Sequence, residues 1–270
     1  MSTPERADDD VDVLRSAGAG RKVIHGSALR LGANLASLVF ALIEGGRSGF
    51  GSVTTLVAGA VALVALTGFA AVEFRSRRPL LDLSWFRRAE FSGANAGSAL
   101  MNLGTLGAIF AIGLYLQQDR DLSPLAAGLN LVPLALPLAA LTSFTARLVG
   151  AIGARLPAGI GLVASGAGYL GAALLGGAAI DGPGGWAFLA LAGTGMGFAV
   201  PALVAGATEA LGPDRAGVAA AVNNTARQVG GAIGVALIGG FVAISTALAA
   251  SGAALALGGV MALALMRRRD

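Results

Sequence analysis

Long apolar runs separated by short charged segments dominate the sequence. Uncharged runs extend over residues 48–72, 91–118, 122–146, 156–180 and 182–208. A helix needs about 20 apolar residues, rising 1.5 Å each, to cross the roughly 30 Å hydrocarbon core of a bilayer. Each run therefore predicts one transmembrane helix.

The last apolar run allows two different helix starts. Residues 229–266 make 38 uncharged positions, too many for one crossing and barely enough for two. A start near Gly217 allows helices at 217–240 and 248–266, with a turn at Ser245-Thr246 and with Arg227 inside the first helix. The alternative start at Val229 leaves Arg227 at the membrane surface. We adopt the earlier start for the predicted spans.

One more crossing is predicted over residues 27–43, where Arg30 reaches back to the interface. The predicted fold class is therefore all-α, a polytopic membrane protein with eight transmembrane helices. An even number of crossings places both termini on one side, together with sixteen of the nineteen Lys and Arg residues, against Arg47 and Arg120 on the other. The positive-inside rule then predicts a multi-pass protein of the cell inner (plasma) membrane with both termini cytoplasmic.

Composition supports a membrane protein and excludes several site chemistries. The chain is 55% hydrophobic and 13% charged, where soluble domains carry about 25% charged residues. There is no Cys and only one His, so we expect no metal site and no cofactor. The net charge of +4 comes from short loops between apolar runs, so we expect no nucleic-acid partner. The acidic first residues lack an apolar core, so no cleavable signal peptide is expected.

Polar residues inside a crossing usually face protein or water, and two helices carry most of them. The third crossing has four polar positions at spacings of 3, 4 and 3, which share one helical face. Two further candidates follow at its outer end. The positions are Asn95, Ser98, Asn102 and Thr105, then Tyr115 and Gln117.

The seventh crossing carries the second polar group, Asn223, Asn224, Arg227 and Gln228. These two crossings are the predicted lining of a substrate pathway. The fifth and eighth crossings consist almost entirely of Ala, Leu, Gly and Val, so we expect them to be peripheral. No Asp or Glu lies well inside any crossing, so the chain shows no evident proton-coupling group and no enzyme site.

Glycine and proline positions predict packing and bending. Gly193-x-Gly195-x-Gly197 follows no strand, so close helix packing is favoured over nucleotide binding. Gly230 and Gly234 form a second small-residue surface.

Ser123-Pro124 predicts a helix start, and Pro133, Pro137 and Pro201 are predicted to bend their helices. Two alternatives remain for residues 75–90: a short interfacial segment anchored by Trp85, or a solvated loop.

Several sequence blocks, in this order, resemble the EmrB/QacA-type drug:proton antiporters of the major facilitator superfamily. The resemblance covers the chain from about Leu38 to its C-terminus. The blocks are Glu73-Phe-Arg75, Arg78-Pro-Leu-Leu-Asp-Leu, Phe86-Arg87, Tyr115-Leu-Gln117, Ser123-Pro-Leu-Ala-Ala-Gly-Leu with Pro133, Gly193-Thr-Gly195-Met-Gly197 with Pro201, Ala216-Gly217, and the run from Asn224 to Ala236.

The resemblance implies a division of the chain and a function. The family has fourteen transmembrane helices, arranged as a six-helix bundle, two linker helices and a second six-helix bundle. The chain is then expected to contain a cytoplasmic tail (1–26), the two linker helices (27–76), a cytoplasmic interfacial connection (77–90) and the C-terminal six-helix bundle (91–270). The N-terminal bundle, with its proton-coupling carboxylate, is not found in it.

Because alternating access needs two bundles, two functions are expected. The first is one half of a multidrug efflux transporter in the lipid bilayer, exporting hydrophobic or cationic small molecules with an N-terminal half-transporter chain or a second copy. The second is a truncated, non-transporting membrane remnant or interaction partner.

Overall fold

A computed structural model of the protein describes residue 57 and residues 82–176, 180–239, 241 and 243–267. Two compact units divide the chain, Met1–Asp82 and Leu83–Asp270, and the elements below belong to the second. Every regular element within these ranges is a helix, so the all-α prediction is confirmed there. The crossings predicted at 27–43 and 48–72 lie outside the described residues, apart from Val57, which is helical.

Six long helices and one short helix make up this described bundle. A 3-10 helix, Leu83–Arg87, precedes the first, and a second, Pro213–Arg215, precedes α6. The α-helices are α1 (Ala89–Gln118), α2 (Pro124–Leu129), α3 (Val132–Ile152), α4 (Arg155–Leu175), α5 (Pro183–Leu211), α6 (Ala216–Ile238) and α7 (Ile244–Leu265).

Each long helix has at least 21 residues, or about 32 Å, which is enough to cross a bilayer. Among the described residues, α1, α3, α4, α5 and α7 are also apolar enough to do so. Helix α6 matches the predicted seventh crossing in length, but its amides and Arg227 make it less apolar than the other five.

The predicted crossing at 122–146 is wrong at both ends. Ser123 caps a helix as expected, accepting a hydrogen bond from the Ala126 amide at 3.3 Å, but that helix is α2 and ends at Leu129. The Trp186 indole donates to the Asn130 side-chain oxygen at 2.8 Å and so joins the connection between α2 and α3 to the start of α5. The local signals of the break are Asn130, which ends α2, and Pro133, which lies in the first turn of α3.

The corrected helix start also changes the role of one proline. Pro133 lies in the first turn of α3, where no backbone donor is needed, so the predicted bend at Pro133 is wrong. Pro137 and Pro201 lie inside α3 and α5 as expected, and the bends that they cause remain predictions. The turn predicted at Ser245-Thr246 is also wrong, because both residues belong to the first turn of α7. Hydroxyl side chains are compatible with helix starts as well as with turns.

The helix packing follows an internal symmetry. Helices α1 and α5 contact each other at the centre. Helix α1 also packs closely on α6 and α7, and α5 packs closely on α3 and α4. We call the side of the bundle formed by α3 and α6 its front, and the side formed by α4 and α7 its back. Helices α4 and α7 also pack together. The contacts therefore exchange α1, α3, α4 with α5, α6, α7, as expected for two related three-helix repeats.

The prediction that the fifth and eighth crossings are peripheral stays a prediction, because contacts within this bundle do not show which sides of these helices meet lipid. These crossings are α4 and α7, which pack on each other and on the central helices. The outermost helix is α3, whose most apolar stretch is 17% buried, whereas that of α4 is 56% buried. Apolar side chains suit both lipid and helix contacts, so composition alone does not distinguish the two.

Arginines at helix starts hold one end of the bundle together. Arg88 donates to the Ala210 carbonyl at 2.8 Å, and Arg155 donates to the Leu263 carbonyl at 2.7 Å. Each contact joins the start of one helix to the last turn of an oppositely directed one, where cations are favourable. We call this end the basic end; its arginines are Arg87, Arg88, Arg147, Arg155, Arg215 and Arg267.

The opposite end of the bundle has a single arginine among the described residues, Arg120. It forms a salt bridge of 2.9 Å with Asp181. The hydrogen bond to Asp181, reinforced by its negative charge, raises the pKa of Arg120 above its ordinary value. The described residues therefore carry their cations asymmetrically, as the sequence predicts.

The connection before α1 is folded. Residues Leu83–Arg87 form a 3-10 helix, so the solvated-loop alternative is wrong for these residues. Trp85 is buried, meets the Phe91 ring edge-on at 6.4 Å between centroids, and lies 5.5 Å from the Arg215 guanidinium. Trp85 thus anchors the segment through protein contacts.

Glycines allow the long helices to touch through their backbones. A Cβ on Gly193 would overlap the Leu134 carbonyl of α3, and one on Gly195 would overlap the Gly161 carbonyl of α4. Packing is therefore confirmed as the role of these two glycines. A Cβ on Gly230 or Gly234 would likewise overlap the carbonyl of Ala99 or Leu103 on α1.

Replacing Gly234 with Ala should destabilise the bundle, because the added methyl group forces α6 away from the Leu103 carbonyl. Overpacking of this kind costs about 1–3 kcal/mol. The matched control is Gly113→Ala on α1, where the methyl group would meet no atom within 4 Å. Thermal unfolding in detergent should show a lower Tm for Gly234→Ala only. Equal Tm values for the Gly234→Ala and Gly113→Ala variants would contradict the close approach of Gly234 to the Leu103 carbonyl.

Candidate functional site

Helices α1 and α6 form the contact that brings most of the predicted site residues together. Gly230 lies against Ala99, Gly234 against Leu103 and Gly107 against Ile238, so residue numbers rise together along both helices. The two helices therefore run parallel. We call their contact the α1–α6 seam.

The polar face predicted on α1 is buried in protein. Asn95, Ser98, Asn102 and Thr105 are each at most 7% exposed. Thr105 points away from the seam and donates to the Met196 sulfur of α5 at 3.2 Å. The spacing of these residues correctly identifies one face, but that face packs against neighbouring helices. Its role in a pathway remains a prediction.

Asn223 is the buried polar centre of the seam. Its side-chain nitrogen donates to the Ser98 hydroxyl at 2.8 Å and lies 3.4 Å from the Asn95 side-chain oxygen. Its own side-chain oxygen is buried and accepts no hydrogen bond from the described residues. Direct amide contacts between membrane helices offset the loss of water, so this group stabilises the parallel pairing of α1 and α6.

Arg227 lies one turn beyond Asn223 on α6. The helix begins at Ala216, so the alternative start at Val229 is wrong, and Arg227 lies about 16 Å along the helix. The side chain is half-buried, and its Nε is buried without an acceptor among the described residues. The two ion pairs found in this part of the chain, Arg120–Asp181 and Arg267–Glu90, do not include it.

An exposed strip borders the seam on one side. Asn224 and Gln228 are exposed and share a helical face with Gly231, which contacts Leu106. Leu106 and Phe110 are the exposed apolar part of this border on α1, 37% and 42% exposed. The strip, defined as Asn224, Arg227, Gln228, Leu106 and Phe110, combines a cation, two amides and apolar surface.

Two predicted site residues lie away from the seam. Gln117 is exposed, donates to the Gly113 carbonyl of its own helix at 3.0 Å and borders a cavity of about 330 Å³ between α1 and α2. Tyr115 is half-buried, and its carbonyl accepts a hydrogen bond from the Arg120 amide at 3.2 Å. Fifteen residues separate Asn102 from Gln117, or about 22 Å along the helix. The predicted residues therefore form two groups.

A second buried polar group was missed by the sequence analysis. Ser165 of α4 donates to the Ala192 carbonyl of α5 at 2.8 Å, and Ser251 of α7 is fully buried. The Tyr169 hydroxyl is buried beside Thr105. The available signal was Tyr169 itself, one of two tyrosines in the chain and located in mid-helix.

Comparison with known proteins places these helices in a family. A sequence profile of the Major Facilitator Superfamily matches residues 23–235. The methylenomycin A resistance protein of Streptomyces coelicolor is 35% identical over 76% of this chain and 43% of its own length. The multidrug resistance protein Stp of Mycobacterium tuberculosis is 30% identical over 77% and 38%, and the tetracenomycin C resistance and export protein of Streptomyces glaucescens is 28% identical over 75% and 37%.

The chain thus matches about 40% of the length of these curated relatives. The profile covers most of the chain, and it includes both central helices and nearly all of the α1–α6 seam. The predicted membership is therefore confirmed, and the chain belongs to the major facilitator superfamily.

Proposed function

We propose that this chain is one half of a drug:proton antiporter that exports hydrophobic small molecules together with a second six-helix bundle. The observation that carries the proposal is the exposed strip beside the α1–α6 seam, which offers polar and apolar groups on one side of a symmetric bundle. Resistance and export proteins among the relatives support it. The fourteen-helix arrangement of the whole transporter is part of the proposal.

The front of the bundle is the proposed docking face for the second bundle. Helix α3 packs mainly on α5, and α6 mainly on α1, so both have unpartnered sides. The two helices expose large apolar residues, including Leu136 and Phe144 on α3 and Val218 and Leu237 on α6. Alternating access requires two such bundles moving about a central site. An N-terminal half-transporter chain or a second copy of this chain would supply the other.

The proposed orientation follows from charge. The basic end faces the cytoplasm, so both termini are cytoplasmic in a plasma-membrane protein. The described carboxylates lie at or beyond helix ends, so the coupling carboxylate of an antiporter is proposed to lie on the second bundle. The proposed substrate pathway of this half runs along Asn224, Arg227 and Gln228, with Tyr115 and Gln117 at its outer mouth. Asn95, Asn102 and Asn223 belong to it as the buried polar groups directly behind these residues. The resemblance to the family implies hydrophobic, often cationic, cargo.

Transport in inverted vesicles should require both bundles. Three kinds of vesicle are compared. The first contains this chain alone, the second contains the part of the Streptomyces coelicolor relative that this chain does not match, and the third contains both polypeptides. The measurement is dissipation of a preformed proton gradient on addition of the neutral dye N-phenyl-1-naphthylamine. We expect dissipation with both polypeptides and none with either alone.

Transport by this chain alone would identify a second copy as the other half and contradict the need for a distinct bundle. Absence of transport in all arms, with both polypeptides in the membrane and a whole relative active in the same vesicles, would contradict the transporter half. That result would favour the non-transporting interaction partner.

In the active pair, Asn102→Ala should weaken export about fivefold, which corresponds to the loss of about 1 kcal/mol of hydrogen bonding. The effect should appear as a higher KM for the dye. The control is Thr208→Ala, because the Thr208 hydroxyl donates to carbonyls of its own helix, those of Val204 and Ala205, and to no other helix among the described ones. An unchanged KM for Asn102→Ala at normal expression would remove Asn102 from the pathway.

A further inference from the structure

The electrostatic character of the strip beside the α1–α6 seam restricts the cargo that it can bind. Arg227 provides the only charge of α6, and its Nε is buried without an acceptor among the described residues. One turn away, the fully buried Asn223 has a side-chain oxygen without a donor in the same described part of the chain. A buried donor and a buried acceptor thus lie on neighbouring turns of one helix face, and neither has a partner within the described ranges.

Nearby carboxylates do not neutralise Arg227. Glu90 lies at the start of α1 and is 3.1 Å from Arg267, while Asp181 is 2.9 Å from Arg120 at the opposite end. The other carboxylates of the described helices and their connections also lie at helix ends: Asp119, Asp121, Glu209 and Asp214. From the start of α1 to the end of α7, the interior of the bundle therefore carries one positive charge and no negative one.

This imbalance acts in opposite directions on acidic and basic cargo. Two unit charges about 6 Å apart at an effective dielectric constant of about 20 change an affinity on the order of a hundredfold. Because Arg227 is half-exposed, screening reduces the effect to about tenfold. A lipophilic cation is repelled, whereas a carboxylate or sulfonate supplies the acceptors that the guanidinium lacks.

We propose that Arg227 binds the acidic group of hydrophobic cargo, so that this half-transporter takes lipophilic carboxylates or sulfonates in preference to lipophilic cations. The proposal rests on the proposed export function and restricts its cargo to acidic molecules, in place of the often cationic cargo that the family resemblance implies. Leu106 and Phe110 provide the apolar surface for the rest of such a molecule, and Asn224 and Gln228 provide further amide donors.

A matched pair of dyes tests the charge preference in the full-length chain reconstituted in lipid nanodiscs. 8-Anilinonaphthalene-1-sulfonate carries a sulfonate, and N-phenyl-1-naphthylamine has the same aromatic scaffold without it. Fluorescence titrations, corrected with empty nanodiscs, give the Kd of each dye. The variants are Arg227→Gln, which removes the charge, and Arg227→Lys, which retains it. Arg147→Gln removes a charge from the basic end instead and serves as the control.

We expect Arg227→Gln to weaken sulfonate binding about tenfold and to change binding of the neutral dye less than twofold. Arg227→Lys should retain most of the sulfonate affinity, and Arg147→Gln should retain all of it. Asn224→Asp provides a second variant that keeps the arginine but places a carboxylate three residues away. Like Arg227→Gln, it should lower the affinity for the sulfonate dye. The test therefore remains decisive even if Arg227→Gln does not fold.

Three results would overturn the proposal. The first is a sulfonate affinity that neither Arg227→Gln nor Asn224→Asp changes. The second is an equal loss of affinity for both dyes in Arg227→Gln. The third is a loss of sulfonate affinity in Arg147→Gln as large as that in Arg227→Gln. If sulfonate affinity is unchanged but Arg227→Gln prevents assembly with the second bundle, the partner of Arg227 is a carboxylate of that bundle. Because the titration measures binding, its outcome is independent of the vesicle transport assay, and either proposal can fail without the other.

Discussion

The direct contact between the backbones of α1 and α6 determines the geometry of the candidate site. Gly230 and Gly234 lie against the carbonyls of Ala99 and Leu103, so a side chain larger than hydrogen would separate the helices. The hydrocarbon core provides no water, so polar groups brought this close must satisfy one another. Asn223 does so with Ser98, whereas Arg227 is left without an acceptor among the described residues.

The two halves of the internal repeat use the same packing but different chemistry. Helices α3 and α5 also meet through glycine, since Gly193 lies against the Leu134 carbonyl. The hydroxyl of Thr142 on α3 bonds to its own helix, to the Leu138 carbonyl, and so does not link α3 to α5. The α1–α6 seam instead carries a link between side chains, from Asn223 to Ser98. The two helix pairs thus pack alike but differ in role: the contact between α3 and α5 is mainly structural, whereas the α1–α6 seam borders a candidate recognition surface.

Much of this architecture could be predicted from the sequence, because charged residues rarely lie within a membrane crossing. The bounds of α1 and α5 follow from that rule to within a few residues. Helix α6 is an exception to the rule, because it contains Arg227; its start follows from length, since residues 229–266 are barely enough for two crossings. The break before α3 was missed, although Asn130 and Pro133 are local signals for it: Asn130 ends α2 and Pro133 lies in the first turn of α3. The periodicity that placed Asn95, Ser98 and Asn102 on one face was correct. It could not show that this face meets another helix, since burial depends on how helices assemble.

The central claim is that one side of α6 faces water while the adjacent side is sealed against α1. The chain contains no Cys, so any introduced thiol is unique. Single-cysteine variants can be exposed in membranes to a membrane-impermeant methanethiosulfonate reagent, with exposed Leu257 of α7, which we expect to face lipid, as the control. The account predicts labelling of Asn224→Cys and Gln228→Cys, and protection of Ser98→Cys, Asn223→Cys and Leu257→Cys. Protection of both Asn224→Cys and Gln228→Cys, or labelling of Ser98→Cys, would contradict it.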